Sequence, residues 1–142
     1  ALSSPLIVGI YDENSELLEQ ISSEEKSDVS LVKIIDEILN GGKFNLQKII
    51  YANGPGSFMG VKVAYVVLKT ISIVKECEFY AVSGFELNGG APIRANKNLS
   101  FVDTPEGIKL QKAQAGEFGL PQNLAVLNLN LDTLPNYVIQ AV

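Results

Sequence analysis

The stretch Asn53-Gly54-Pro55-Gly56-Ser57-Phe58-Met59-Gly60 joins two apolar segments of different character. Residues 47–52, before it, are rich in β-branched and aromatic side chains, which is typical of a buried strand. Residues 58–75, after it, are mostly small and apolar and predict a helix with Ser57 as its N-cap. A strand, a glycine-rich turn and a helix in this order predict one unit of an α/β fold.

The neighbouring segments extend this pattern in both directions. Two strand-like segments around a polar turn predict an N-terminal β-hairpin, and an apolar stretch that ends at two glycines predicts another helix. A short strand-like segment after the second helix is expected to pair in parallel with the strand before it. These segments are residues 6–11 and 16–21 for the hairpin, 28–40 for the helix and 78–82 for the parallel strand. The order β-β-α-β-α-β indicates an α/β protein.

Beyond residue 83 the pattern is weaker. Residues 99–102 and 108–110 predict short strands, because each is a brief apolar run between polar segments. Residues 124–131 alternate apolar and polar side chains, which predicts a half-buried strand.

Composition and charge exclude several classes of function. The chain has 142 residues with 46% hydrophobic and 19% charged residues, enough for one domain or two small lobes. The net charge of −5 disfavours nucleic-acid binding by the chain alone. The absence of histidine excludes His-based catalytic triads and His-ligated zinc. A single cysteine allows no intramolecular disulfide and favours a cytoplasmic location, and we expect no membrane segment.

Both predicted helices are more apolar than a helix that covers only one side of a sheet. On each of them the apolar residues span an arc of about 220°. Such an excess favours either mutual packing of the two helices or a partner surface, and the sequence leaves both open.

The glycine-rich turn has two interpretations. A helix N-terminus with nearby glycines suits an anion such as phosphate, but the spacing of Gly54, Gly56 and Gly60 fits neither the Walker pattern nor Gly-x-Gly-x-x-Gly. The other interpretation is a tight turn with close helix packing through Gly60. Ser57 has no histidine base, and the carboxylates beside Cys77 are expected to raise its pKa. No spacing of acidic residues predicts a metal site. The residues alone therefore favour a binding or scaffold protein over an enzyme.

The segment Gly54-Pro55-Gly56-Ser57-Phe58-Met59-Gly60-Val61-Lys62 resembles a family signature, Gly-Pro-Gly-Ser-Phe-Thr-Gly-Leu-Arg. That signature belongs to the bacterial tRNA threonylcarbamoyladenosine biosynthesis protein TsaB (YeaZ) family. The resemblance extends over residues 27–82, and residues 134–138 are similar to the Pro-x-Tyr-Leu-Arg segment near the end of the family's chain. Met59 and Lys62 replace the family's Thr and Arg, and the second lobe is shortened between about residues 90 and 124.

The resemblance implies an actin-like and Hsp70-like ATPase (ASKHA, RNase H-like) fold. It implies a full N-terminal lobe over residues 1–90 and a reduced C-terminal lobe over residues 91–142. It further implies a non-catalytic scaffold and activator of TsaD, which binds ATP and metal and transfers threonylcarbamoyl to adenosine in tRNA. The chain itself is then expected to hold no cofactor or metal and to meet tRNA only through the complex. TsaE is a further expected partner, and a homodimer through the same surface is an alternative.

The resemblance also assigns candidate residues. The motif turn consists of Gly54, Pro55, Gly56, Ser57, Phe58 and Gly60. The partner-binding helices are expected to use Leu31, Ile34, Ile35, Ile38, Val61, Lys62, Tyr65, Val66 and Lys69. The alternative function is a nucleotide-binding ASKHA-type phosphotransferase or hydrolase that uses the turn from Gly54 to Gly60.

Overall fold

The computed structural model describes residues 5–25, 27–42 and 45–137 of the chain. Its first part alternates strands and helices as the apolar patterns predict. The elements there are β1 (Leu6–Tyr11), β2 (Leu17–Ser23), α1 (Ser27–Asn40), β3 (Lys48–Ala52), α2 (Phe58–Val74) and β4 (Glu78–Val82). The later elements are β5 (Ile93–Arg94), β6 (Ser100–Thr104) and β7 (Gly107–Gln111), with short 3-10 helices at Gly84–Leu87 and Leu124–Val126.

Strand pairing divides the described residues into three small sheets. β1 and β2 form the antiparallel hairpin, and β5, β6 and β7 form an antiparallel sheet. β3 and β4 pair in parallel with Ile50 opposite Tyr80, and α2 is the crossover between them. The predicted parallel pairing is therefore confirmed. A largely apolar cavity of about 650 Å³ lies between β1 and β3 and is lined by consecutive residues of both strands.

The hydrophobic core consists of two separate clusters. The larger one joins side chains from β1, α1, β3, α2 and β4, and the ring of Tyr51 stacks there on Phe79 with centroids 5.2 Å apart. The smaller one is built on Phe85, Ile93 and Phe101 under the β5–β7 sheet. Because Phe85 precedes residue 90 and belongs to the second cluster, the clusters do not coincide with the two lobes expected from the sequence, whose boundary stays a prediction.

The strand predicted at residues 124–131 is wrong. Only a 3-10 turn forms at Leu124–Val126, followed by one isolated antiparallel bridge between Asn130 and Ala81. The asparagines explain the difference, because their side chains bond the local backbone in place of a strand ladder. Asn123 Oδ1 accepts a hydrogen bond from the backbone N–H of Ala125 (2.8 Å), and Asn130 Oδ1 accepts one from that of Asp132 (2.9 Å). β5, by contrast, lies where no strand was predicted.

None of the helices in the part of the chain that the structure describes is long and apolar enough to span a membrane.

Candidate functional site: the glycine turn and the outer face of α2

The glycine turn lies where the parallel strands β3 and β4 end. The backbone N–H of Asn53 donates to the carbonyl of Val82 (3.1 Å), and the carbonyl of Gly54 accepts from the N–H of Gly84 (3.0 Å). The peptide bond between Gly54 and Pro55 is cis, and Gly54 has a φ of 125°. That φ lies in a region that side-chain-bearing residues rarely adopt, so the backbone itself requires glycine at this position.

Ser57 begins α2 as the sequence predicts. Its hydroxyl accepts a hydrogen bond from the backbone N–H of Gly60 (3.2 Å), and its carbonyl accepts the first helical bond from Val61 (2.9 Å). The hydroxyl thus satisfies one of the otherwise unpaired donors of the first helical turn. This contact gives Ser57 a structural role at the start of α2.

A segment from the far end of the chain covers the turn, and we call residues 133–137 the C-terminal clasp. The Tyr51 hydroxyl donates to the carbonyl of Thr133. The side-chain amide of Asn53 donates to Leu134 O (3.3 Å), and the N–H of Asn136 donates to the carbonyl of Asn53 (2.7 Å). These bonds fix the clasp along the carboxyl end of β3.

The clasp also explains the close packing at Gly54. A Cβ atom placed on Gly54 would lie 2.5 Å from the carbonyl oxygen of Asn136, which is too close for any side chain. Beyond it, the Tyr137 ring packs on Phe58 with ring centroids 4.4 Å apart. The chain's own backbone therefore packs directly against the Gly54 position of the turn. Of the segment compared with the family's Pro-x-Tyr-Leu-Arg, Val138 lies outside the described residues.

The pKa is raised for two buried or half-buried side chains, Tyr51 beside the turn and Cys77 beyond the other end of α2. Burial raises the pKa of the Tyr51 hydroxyl well above its ordinary value, and the nearby Tyr65, Tyr137 and Asp132 raise it further. Burial also raises the pKa of the Cys77 thiol. The sequence predicted a raised pKa for Cys77 from the neighbouring carboxylates; the direction is confirmed, but the cause is burial of the thiol. A thiol with a raised pKa is a weaker nucleophile at neutral pH.

The outward side of α2 carries an apolar stripe. Met59, Val66 and Ile73 are 61%, 54% and 65% exposed, and they recur at intervals of seven residues. Lys62 and Lys69 are exposed and run alongside. We call these five residues the outer face of α2. A seven-residue interval is about two helical turns and places side chains nearly in line, so the three apolar residues lie along one edge of α2.

The structure divides the predicted partner-binding residues into three groups. Leu31, Ile34 and Val61 are buried in the chain's own core and do not reach a partner surface, which corrects their assignment. Ile35, Ile38 and Tyr65 are half-buried, and Lys62, Val66 and Lys69 are exposed. The sequence did not indicate five exposed apolar residues on the helices, namely Val29, Val32, Met59, Ile73 and Val74. The seven-residue interval of Met59, Val66 and Ile73 was the signal that could have found two of them.

Metal ligands are also relevant to the site's chemistry. Across residues 5–25, 27–42 and 45–137, no group of three or more Asp, Glu, Cys or His side chains is arranged to hold a metal ion.

A mixed α/β protein with this strand, glycine turn and helix is consistent with an ASKHA-like fold, and comparison with known proteins identifies its family. The family model described as "TsaD: tRNA N6-adenosine threonylcarbamoyltransferase" matches residues 19–119, more than two thirds of the chain. The chain therefore belongs to this family. No curated protein matches it in sequence.

Solved structures show which proteins the fold is similar to. YeaZ from Pseudomonas aeruginosa matches 87% of this chain with a TM-score of 0.56 and 18% identity. A second Pseudomonas aeruginosa structure, described as an uncharacterized protein with similarity to peptidase YEAZ, matches 91% with a TM-score of 0.51 and 19% identity. The chain spans 60% and 61% of the lengths of these two proteins. The predicted TsaB/YeaZ-like character is confirmed.

Proposed function

We propose that this chain is a non-catalytic subunit of the cytoplasmic system that makes threonylcarbamoyladenosine in tRNA. In this role it binds a TsaD homologue through its helices and activates it. Family membership and the YeaZ-like fold support the choice of system. The observation that carries the scaffold role is the outer face of α2, where Met59, Val66 and Ile73 are exposed in one line.

The outer face has the physical properties of a surface for a second helix. Burial of apolar area contributes about 25 cal/mol per Å², so covering this strip is favourable. Apolar residues at seven-residue intervals suit a helix that packs alongside at a shallow angle. Lys62 and Lys69 flank the strip and are placed to pair with acidic side chains at the rim of an interface. Val29 and Val32 of α1 are exposed as well, and a standard interface with the partner would bury roughly 800 Å² on each side.

The motif turn supports an architectural role over a catalytic one. The Ser57 hydroxyl caps α2, and the clasp packs on Gly54. Burial raises the pKa of the Cys77 thiol, and the sequence contains no histidine to serve as a base. In the proposed complex, the TsaD homologue supplies the ATP and metal site, a TsaE homologue joins the pair, and tRNA is met only within that assembly.

The test is a matched pair of charge substitutions at exposed valines. Val66→Glu places a carboxylate on the outer face of α2, whereas Val126→Glu places one at Val126, which is 70% exposed on the 3-10 turn Leu124–Val126. We expect Val66→Glu to weaken binding to a TsaD homologue at least tenfold in isothermal titration, because a charge would be buried at the interface. Val126→Glu should bind as the wild type does, and both variants should keep the wild-type melting temperature.

The reaction provides a second readout. Threonylcarbamoylation of tRNA by the TsaD homologue should fall when this chain is omitted or replaced by Val66→Glu. An intact complex with Val66→Glu would refute the proposed surface. Turnover of ATP with magnesium by the chain alone would instead support the nucleotide-dependent enzyme. Light scattering of the chain alone tests for a homodimer through the same surface. If that homodimer forms, Val66→Glu would convert it to a monomer.

A further inference from the structure

Positive charge is concentrated in one part of this acidic chain. Residues 87–116 contain four basic and two acidic side chains, a net charge of +2, while the rest contains seven basic and fourteen acidic ones, a net charge of −7. The four cations are Arg94, Lys97, Lys109 and Lys112. The β5–β7 sheet is built from this segment, so the sheet carries the opposite charge to the remainder of the protein.

Two of these cations line one pocket. A pocket of about 260 Å³ lies at the β5–β6 hairpin, between the hairpin loop and residues 113–115, and its walls include Arg94 and Lys97. Asn98 and Gln114 add side-chain amides, and the lining contains no carboxylate. The pocket therefore presents several hydrogen-bond donors and two positive charges, which is the chemistry that phosphate oxygens require.

Local hydrogen bonds fix the walls of this pocket. Asn96 Oδ1 accepts from the backbone N–H groups of Asn98 and Leu99, both at 2.9 Å, which holds the hairpin loop. The buried hydroxyl of Ser100 donates to the carbonyl of Ala113 (2.8 Å) and ties the opposite wall to the hairpin. Arg94 and Lys97 consequently project from a backbone whose geometry is set without any ligand.

The two cations are available for an external partner. Within the described ranges, the ion pair found is between Lys109 and Glu106 (3.9 Å), and neither Arg94 nor Lys97 has a carboxylate partner. Both side chains are exposed. An exposed cation gains little from a single small anion, because water and salt screen the pair. A polyanion binds such sites better, because each neutralised phosphate releases condensed counterions.

We propose that this pocket holds a backbone phosphate of an RNA strand, through Arg94 and Lys97. The assignment of RNA rests on the proposed function, and the site would give this chain its own contact to the tRNA within the complex. Arg94 lies on β5 next to the loop that carries Lys97, so one phosphate group in the pocket meets a guanidinium and an ammonium together. The contact is to the backbone and reads no base sequence.

The experiment measures binding of a fluorescein-labelled tRNA transcript by anisotropy between 50 and 200 mM KCl. It uses the chain alone and the chain with a TsaD homologue. The double variant Arg94→Ala/Lys97→Ala should weaken binding about tenfold and reduce the slope of log affinity against log salt by roughly 0.7 to 0.9, the value for one lost phosphate contact. Lys109→Ala is the matched control, because Lys109 lies outside the pocket lining and is paired with Glu106. Its slope should equal that of the wild type.

Several outcomes overturn the proposal. The proposed site is refuted if the double variant keeps the wild-type affinity and salt slope. It is also refuted if the wild-type chain binds no tRNA at 50 mM KCl, either alone or with the TsaD homologue. Displacement of the transcript by inorganic phosphate, at an ionic strength where chloride has no effect, would assign the pocket to free phosphate. The chain is also tested alone, where no TsaD homologue is present. Loss of the RNA contact would therefore weaken tRNA binding by the chain alone, whereas loss of the TsaD interaction would not. Melting temperatures of all variants control for folding.

Discussion

The two faces of α2 both carry apolar residues, but the inner face is buried in the core and the outer face is exposed. On the inner face, Val61 is 1% exposed and shares the buried side of the helix with Ala64 and Leu68. On the outer face, Val66 is 54% exposed although it is the same residue type on the same helix. Hydrophobicity therefore does not distinguish a residue that stabilises this fold from one available to a partner. Position around the helix does, because five residues of separation turn a side chain by about 140°.

The largest predicted difference comes from the same substitution on each face. Val61→Asp buries an unpaired carboxylate and should lower the free energy of unfolding by at least about 4 kcal/mol, which leaves the chain largely unfolded. Val66→Asp keeps its carboxylate in water and should change stability by less than about 0.5 kcal/mol. Urea denaturation followed by circular dichroism measures both. Equal losses at the two sites would show that the faces are not distinct.

A truncation pair sharpens the comparison without introducing charge. Leu68→Ala leaves a cavity in the larger core cluster and should cost about 2 to 5 kcal/mol. Ile73→Ala removes exposed apolar surface and should cost less than about 0.5 kcal/mol. Thermal denaturation gives the difference. A loss above 2 kcal/mol for Ile73→Ala would mean that the outer face is covered within the chain itself.

The turn that begins α2 allows backbone strain and steric clash to be separated. Gly54→Ala suffers both, because φ is 125° and the Cβ would meet Asn136 O, so we expect a cost of at least about 2 to 3 kcal/mol. Gly90→Ala suffers strain alone, since its φ is 78° with nothing near the Cβ, and should cost about 1 kcal/mol. Similar denaturation midpoints for the two variants would show that steric contact with the clasp adds nothing to the cost of a side chain at position 54.

The smallest effect is expected at Tyr51, on the core side of β3. Tyr51→Phe removes the hydroxyl that donates to Thr133 and should cost about 1 kcal/mol at pH 7. Because the folded state raises the pKa of this hydroxyl, the unfolded chain ionises first as the pH passes 10. The contribution of Tyr51 to stability should then be constant below pH 10 and fall above it. Urea titrations at pH 8 to 11 should show a smaller fall for Tyr51→Phe, and equal falls would contradict this assignment.

The sequence predicted local structure better than contacts across the chain. β1 and the parallel pairing of β3 and β4 followed from apolar runs, and the Ser57 cap followed from residue type and position. These features depend on neighbouring residues. The failed strand at residues 124–131 shows the limit, because alternation was present but asparagine side chains satisfied the backbone locally.

The candidate site was predicted only in part, for a related reason. An apolar arc of about 220° on both helices does not show which side meets the sheet, so Leu31, Ile34 and Val61 were placed at a partner surface although they lie in the core. The clasp was missed as well, since its bonds use mainly backbone carbonyls, which every sequence has. The pocket lined by Arg94 and Lys97 depends on which loops face each other, and residue spacing does not encode that.

The clasp has a consequence for the order in which this protein is made. Tyr51 and Thr133 are separated by 82 positions, so a ribosome must release most of the chain before these two groups meet. Until then the glycine turn lacks the covering backbone of the clasp, and Phe58 at the start of α2 lacks its ring contact with Tyr137. The glycine turn therefore acquires its final packing only after residues 133–137 have been synthesised.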